Sequence, residues 1–204
     1  MSGAPLLRRI TPADHLIMPW KNGLGFTREI AIDPPGAAMN DAGFRWRLSI
    51  AAVDQSGPFS SFPGIDRTIM VIDGKGMELA VAGQAPQRLD RCFLPFSFPG
   101  DAATECKLID GPIRDFNLMV NRNLLSARTT VCRWSDPVQL ALEAPIAMLH
   151  LLEGDAGFTA MAQHVQGAAG DTLIWQGTSP VRQAIEIAPR GSATIAVMEL
   201  TPVR

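Results

Sequence analysis

The chain has no tyrosine, only three histidines and only three cysteines in 204 residues. Each scarcity removes a class of function. His15, His150 and His164 stand far apart, so no strand carries the paired histidines with which a small β-barrel grips a transition metal. No metal and no other cofactor is expected. Cys92, Cys106 and Cys132 are odd in number and widely spaced, which argues against a disulfide framework or a zinc site. They are read as small buried thiols of a protein in a reducing, cytoplasmic compartment. No apolar run reaches the roughly 18 residues of a membrane span, so no membrane partner is expected. Arg8 and Arg9 follow a very short apolar patch, the reverse of a secretion signal. The formal net charge is -2 with no basic block, and aromatic platforms are few, so nucleic acid is not an expected partner either. Nucleophile elbows are missing, and Gly23-Leu24-Gly25 lacks both the third glycine and the following helix of a dinucleotide loop.

What is present reads as β structure. Hydrophobic residues make up 47% and charged residues 19%, enough for a sizeable core. The best helix signal is Asp136–Ala144, with Asp136 at the N-cap and Pro137 at the first helical position, although the same short stretch also suits a strand. Phe44 to Ile50 alternates strictly, with Phe44, Trp46, Leu48 and Ile50 on one face and Arg45, Arg47 and Ser49 on the other. Arg114 to Leu118 alternates too. Short strands between Gly/Pro turns predict a sandwich or barrel.

An internal repeat refines this. Ile69–Leu79 resembles Leu149–Thr159, each an apolar strand, an acidic-Gly turn and a second strand. The same offset of 80 carries Phe116–Val120 onto Ala196–Leu200, and a Gly-Asp step precedes or starts a strand in both halves, at Gly100-Asp101 and Gly170-Asp171. The prediction is an all-β duplicated protein of two tandem barrels, residues 1–125 and 126–204, with an approximate boundary and strands open to exchange between lobes. The polar residues are concentrated in the first half, so the second reads as scaffold.

Within that first half, Ser56–Arg67 brackets Phe59 and Phe62 with Gly-Pro and Pro-Gly steps and ends on Asp66-Arg67. A loop this aromatic is expected to close one wall of a barrel pocket, with Arg67 placed to meet a negative charge. Trp20, Lys21 and Asn22 precede glycines that let backbone N–H groups approach a ligand. Arg47 lies opposite Trp46, while Asp115 and Asn117 share a strand face. Arginine suits a carboxylate because its planar fork gives two parallel hydrogen bonds. The competing reading pairs these arginines internally, for instance Arg67 with Asp115. Trp20, Lys21, Asn22, Arg47, Arg67, Asp115 and Asn117 are the candidate ligand-binding residues, and no catalytic residue is assigned.

Several of these segments are similar to motifs of one family. Met18-Pro19-Trp20-Lys21-Asn22-Gly23-x-Gly25-x-Thr27-x-Glu29-Ile30-Ala31 resembles the N-terminal motif of the HutD/Ves family. Phe44-x-Trp46-Arg47-Leu48-Ser49-Ile50-Ala51 with Gly57-Pro58-Phe59-Ser60-x-Phe62-Pro63-Gly64-Ile65-Asp66-Arg67 resembles its second, and Asp115–Met119 its third. Gly170–Trp175 is a weaker fourth. Leu24 departs from the pattern, where many members carry glycine. The resemblance implies a metal-free bicupin of the RmlC-like type. It also implies a regulator or sensor in histidine utilisation that binds a small carboxylate such as formylglutamate or urocanate. The alternatives are a cupin-type hydrolase or isomerase on a small acidic metabolite, a stress-associated protein of the Ves branch, or a purely structural partner-binding bicupin. Exposed strand edges allow a homodimer.

Overall fold

The computed structural model describes residues 6–20, 25–37, 43–177 and 183–203. β1 (Leu6–Ile10) and a 3-10 turn (Pro12–Asp14) lead into β2 (Leu16–Pro19), β3 (Gly25–Asp33), β4 (Trp46–Val53) and β5 (Gly57–Pro58). Next come β6 (Ile65–Asp73), β7 (Met77–Val81), β8 (Gln87–Leu89), β9 (Phe96–Pro99), β10 (Thr104–Leu108) and β11 (Ile113–Asn121). The later part continues with β12 (Leu125–Trp134), β13 (Val138–Leu142), β14 (Ile146–Glu153) and β15 (Asp155–Ala160). It closes with β16 (Gln163–Ala168), β17 (Thr172–Gln176), β18 (Gln183–Pro189) and β19 (Ala193–Pro202). Among the described residues no helix is long and apolar enough to cross a membrane.

The strands fall into two compact units. One spans His15–Ser126 and takes Val203; the other spans Ala127–Pro202 and takes the chain up to Asp14, so β1 pairs with β17 there. Each unit is a two-sheet antiparallel barrel. The first contains a sheet ordered β2-β3-β4-β11-β6-β9 facing one ordered β5-β10-β7-β8. The second contains β1-β17-β14-β19-β12 and β13-β18-β15-β16. With the added edge strands β1, β2 and β3 set aside, the two topologies are identical: β4 to β11 reappear in order as β12 to β19.

The repeat extends to register. In the first barrel Asn117 pairs with Ile69 and Asp115 with Val71; in the second Val197 pairs with Leu149 and Ile195 with Leu151. Both ladders then break at the same place, skipping Ile72 in one and Leu152 in the other. The turn glycines match as well. Gly74 has a φ of 94° and Gly154 one of 76°, and a Cβ would fall 2.6 Å from the Pro112 carbonyl oxygen in the first and closer still to that of Ser192 in the second. Only glycine serves both demands, a left-handed backbone and a close approach to the strand that follows. The Gly-Asp steps, by contrast, are not equivalent, since Gly100-Asp101 follows β9 whereas Gly170-Asp171 precedes the corresponding strand β17.

Two other expectations are corrected. Asp136–Ala144 contributes no helix: Val138–Leu142 is strand β13, paired along its length with β18. Its Val138, Leu140 and Leu142 alternate into the core, and that period of two outweighs the Asp-Pro start signal. Phe44 precedes β4, and it packs with Ile65 and Met119 instead of continuing the row of Trp46 and Leu48.

Candidate ligand-binding site

Between the sheets of the first barrel lie two apolar clusters. One gathers Ala51 and Val53 of β4, Ile69 and Val71 of β6, Met77 and Leu79 of β7, Cys106 of β10 and Ile113 of β11. Because both sheets contribute, this is the barrel interior. The other holds Phe44, Ile65 and Met119 with Ile32 and Phe62 packed against them. Walking along one face of β11 from the first cluster to the second passes Ile113, Asp115, Asn117 and Met119, so the two polar side chains sit between apolar layers. The flanking strands agree. Arg47 and Ser49 precede Ala51 and Val53 on their face of β4, and Arg67 lies between Ile65 and Ile69 on β6.

The result is a polar layer inside the barrel. Arg47, Arg67, Asp115 and Asn117 have relative exposures of 3%, 6%, 2% and 6%, and Ser49 is also buried. Asn117 stands opposite Ser49 on β4 and Ile69 on β6, while Met119 stands opposite Arg47 and Arg67. The four candidate residues on these strands are therefore brought together. Arg47 is partly consumed internally: its Nε donates to Glu29 Oε2 at 2.6 Å, and its Nη1 donates to Ser49 Oγ at 3.3 Å. Its Nη2 keeps no partner, nor do Arg67 Nε, Asp115 Oδ1 and Asn117 Oδ1. Each such orphan costs about 1–3 kcal/mol, and a charged one more, so a fold does not accumulate them in one layer without a compensating partner.

The aromatic loop explains how Arg67 is held. The guanidinium carbon lies 4.9 Å from the ring centre of Phe59, 5.8 Å from that of Phe62 and 5.2 Å from that of Phe98. Three rings attract the cation. The loop itself is tied at several points: Phe59 N–H donates to the Thr104 carbonyl and Phe62 N–H to that of Gly100, at 2.9 and 2.8 Å. Outside the barrel, Arg122 donates to Asp66, to Asp101 and to the Ile65 carbonyl, which fixes the strand entrance from the other side. The internal pair of Arg67 with Asp115 does not form as an ion pair; Arg47 pairs with Glu29 instead.

Burial dominates the electrostatics. It lowers the Arg67 pKa to about 10, with Asp115 countering the fall and Arg47 adding to it. It raises the Asp115 pKa to about 7, with Arg67 countering the rise. Cys106 on β10 is pushed up to about 12 by burial, then by Asp115 and Glu105, so it is an inert thiol and no nucleophile. The expectation of buried cysteines fails for Cys92, which is exposed, and Cys132 is intermediate.

Trp20 is half-buried against the first apolar cluster, and its indole N–H donates to Thr27 Oγ1 at 2.8 Å. Lys21 and Asn22 lie outside the described residues. Three contributors were not singled out from the sequence as site residues: Glu29, Ser49 and Phe98. For Glu29 the available signal was its alternation with Gly25 and Thr27 on one strand. His150 is buried, with Nδ1 2.8 Å from the hydroxyl of its cross-strand neighbour Thr172, and His164 is exposed beside Thr159 and Gln166. Among the described residues no group of three His, Cys, Asp or Glu side chains could hold a metal ion.

Comparison with known proteins places these features. The HutD family model matches residues 12–195. A Pseudomonas putida protein described as an uncharacterized 21.2 kDa protein in the hutC 3' region is 46% identical over 136 residues, 67% of this chain and 66% of that protein. Protein Ves of Citrobacter koseri is 38% identical over 113 residues, 55% of this chain and 56% of Ves. The chain thus spans just under two thirds of the first relative and little more than half of the second. A conserved Pseudomonas aeruginosa PAO1 protein of unknown function superposes with a TM-score of 0.89 at 36% identity, covering 96% of this chain and 99% of that one. HutD from Pseudomonas fluorescens SBW25 gives 0.81 at 33% identity, covering 98% and 100%. A cupin barrel protein of Leptotrichia buccalis, 7% identical at a TM-score of 0.57 over 86% of this chain and 88% of that one, shares the fold alone.

Proposed function

This chain belongs to the HutD family, and from that premise we propose that its first barrel binds a small carboxylate metabolite and that the protein serves as a metal-free sensor or regulator in histidine utilisation. The observation that carries this reading is the contrast between two barrels of identical topology. Eighty positions beyond Arg67, Asp115 and Asn117 stand Ala147, Ile195 and Val197, all within the apolar core of the second barrel. The scaffold folds around an oily interior, so the polar layer of the first barrel answers to something other than stability. Its unpartnered donors, Arg67 Nε and Arg47 Nη2, call for an anionic acceptor, and its unpartnered acceptors, Asp115 Oδ1 and Asn117 Oδ1, call for an N–H or O–H donor. A carboxylate that also bears an N–H meets both demands, as formylglutamate and urocanate do. The relative described by its place beside hutC supports the pathway, and the Pseudomonas fluorescens HutD structure was obtained in a formate condition, formate being the smallest carboxylate.

Trp20 would supply an apolar wall, Arg67 and the free nitrogen of Arg47 the carboxylate contacts, and Asp115 and Asn117 the acceptors for the ligand's N–H. Lys21 and Asn22 are proposed as further polar contacts. Calorimetric titration with formylglutamate and urocanate tests this. Binding below millimolar concentration, lost in Arg67→Ala by a factor of about 10–100, is expected from a buried charge-assisted contact of about 1.5–3 kcal/mol. No binding by either compound, or unchanged binding by the variant, refutes it.

A further inference from the structure

We propose that an entering carboxylate becomes the direct partner that Arg67 lacks and that Asp115 takes up a proton as it does so, so that the site loads one anion together with one proton. The inference rests on the carboxylate reading above. It comes from counting charge inside the barrel. The ionisable groups facing Asp115 among the described residues are Arg67 on β6, Arg47 on β4, Glu29 on β3 and the Cys106 thiol on β10. Glu29 is bonded to Arg47 at 2.6 Å, so the charges of that pair cancel. Arg67 is left as the free cation among these groups, with Asp115 as the one carboxylate not already tied to an arginine.

Asp115 is a poor permanent partner for it. In register Arg67 stands at the level of Met119 and Asp115 at that of Val71, with Asn117 between them. Four residues of strand separate the levels by about 13 Å along β11, more than the two side chains bridge in direct contact. Accordingly Arg67 Nε and Asp115 Oδ1 are both buried and both unpartnered. The three rings around the guanidinium leave Nε with no hydrogen bond of its own, so an acceptor placed between the two levels would reach both Arg67 and Asn117.

With Asp115 ionised, the empty site sums to zero: Arg47 and Arg67 against Glu29 and Asp115. Adding an anion alone would leave an uncompensated negative charge in a buried layer, which is costly. Adding the anion with a proton returns the sum to zero, and the new carboxyl O–H becomes a donor toward the ligand or toward Asn117 Oδ1. Nothing is oxidised and no covalent bond other than the carboxyl O–H forms. The raised pKa of Asp115, near 7, puts that proton within reach at neutral pH. Its cause is burial, which binding maintains.

The test is calorimetry of urocanate and formylglutamate between pH 7.5 and 8.5, above the titration range of the urocanate imidazole and of both compounds' carboxylates, in buffers of different ionisation enthalpy. Uptake close to one proton at pH 8 is expected, with affinity weakening toward tenfold for each pH unit above 7. In Asp115→Asn, the binding that remains should show no proton uptake and no pH dependence. Binding by the wild type without proton exchange overturns this inference and leaves the carboxylate site standing, as does linkage unchanged in Asp115→Asn. Failure of both compounds to bind at any pH overturns the carboxylate reading itself. The wild-type buffer dependence is decisive even if the variant folds poorly.

Discussion

Replacing Asp115 by Asn should make the protein more stable at pH 8 than at pH 5 relative to the wild type, because the buried carboxylate is a liability when ionised. Its pKa moves from 3.8 to about 7 on folding, driven by burial and only partly offset by Arg67. At about 1.4 kcal/mol for each of roughly three pH units, full ionisation costs the fold about 4 kcal/mol. The sign follows from proton binding. Between pH 4 and pH 7 the unfolded chain has released the proton and the folded chain still holds it, so stability declines as pH rises through that window and levels off above it. From pH 5 to pH 8 this group alone should account for about 2–3 kcal/mol. Asparagine has nearly the same shape, stays neutral and lacks the slope. Urea denaturation of both proteins at several pH values gives the difference directly, since all other titrating groups are common to the two. Parallel stability profiles would refute the argument, as would a variant less stable than wild type at pH 8, which would mean that the carboxylate is held by Arg67 after all.

Two further outcomes follow from the packing. Arg47→Ala should destabilise by about 3 kcal/mol in denaturant, because it strands the Glu29 carboxylate in the barrel, and adding Glu29→Gln should recover part of that loss. Gly74→Ala and Gly154→Ala should each cost more than about 2 kcal/mol in thermal or chemical unfolding, since both impose a left-handed φ and a carbonyl contact under 3 Å, whereas Gly83→Ala, with no atom within 4 Å of the added carbon, should cost only the strain of its φ.

Much of this was legible before any coordinates. Alternation in Phe44–Ile50 and Arg114–Leu118 marked two central strands, and the offset between Ile69–Leu79 and Leu149–Thr159 marked the duplication, because a repeated strand order requires repeated apolar spacing and repeated turn glycines. Arg47, Arg67, Asp115 and Asn117 were legible as polar residues on or beside otherwise apolar strands, though not as inward-facing ones. What alternation cannot reveal is which face of a doubly buried strand looks into a barrel: Trp46 and Leu48 are as buried as Arg47 and Ser49. Nor can it reveal pairing across strands, so Glu29 was passed over as the partner of Arg47. Val138–Leu142 shows the limit of local signals, since a good helix start at Asp136-Pro137 yields to the sheet that Val138, Leu140 and Leu142 complete.

The duplication is also an internal control on the function of the polar layer. Two barrels with the same strand order, the same register and the same ladder break differ at the positions of Arg67, Asp115 and Asn117 by a complete change from polar to apolar. Whatever the scaffold requires is satisfied in the second barrel by Ala147, Ile195 and Val197. Retaining two arginines and two carboxylates in the first barrel therefore holds stability in reserve, and the amount is set by burial: Arg67 kept charged although its pKa has fallen to about 10, and Asp115 kept near its midpoint at about 7. A ligand that completes the layer, as proposed, would return that free energy as affinity. This is why the aromatic cage and the Arg122 clamp matter as much as the charges. They hold Arg67 in place with the layer empty, so that the proposed anion would not have to order it.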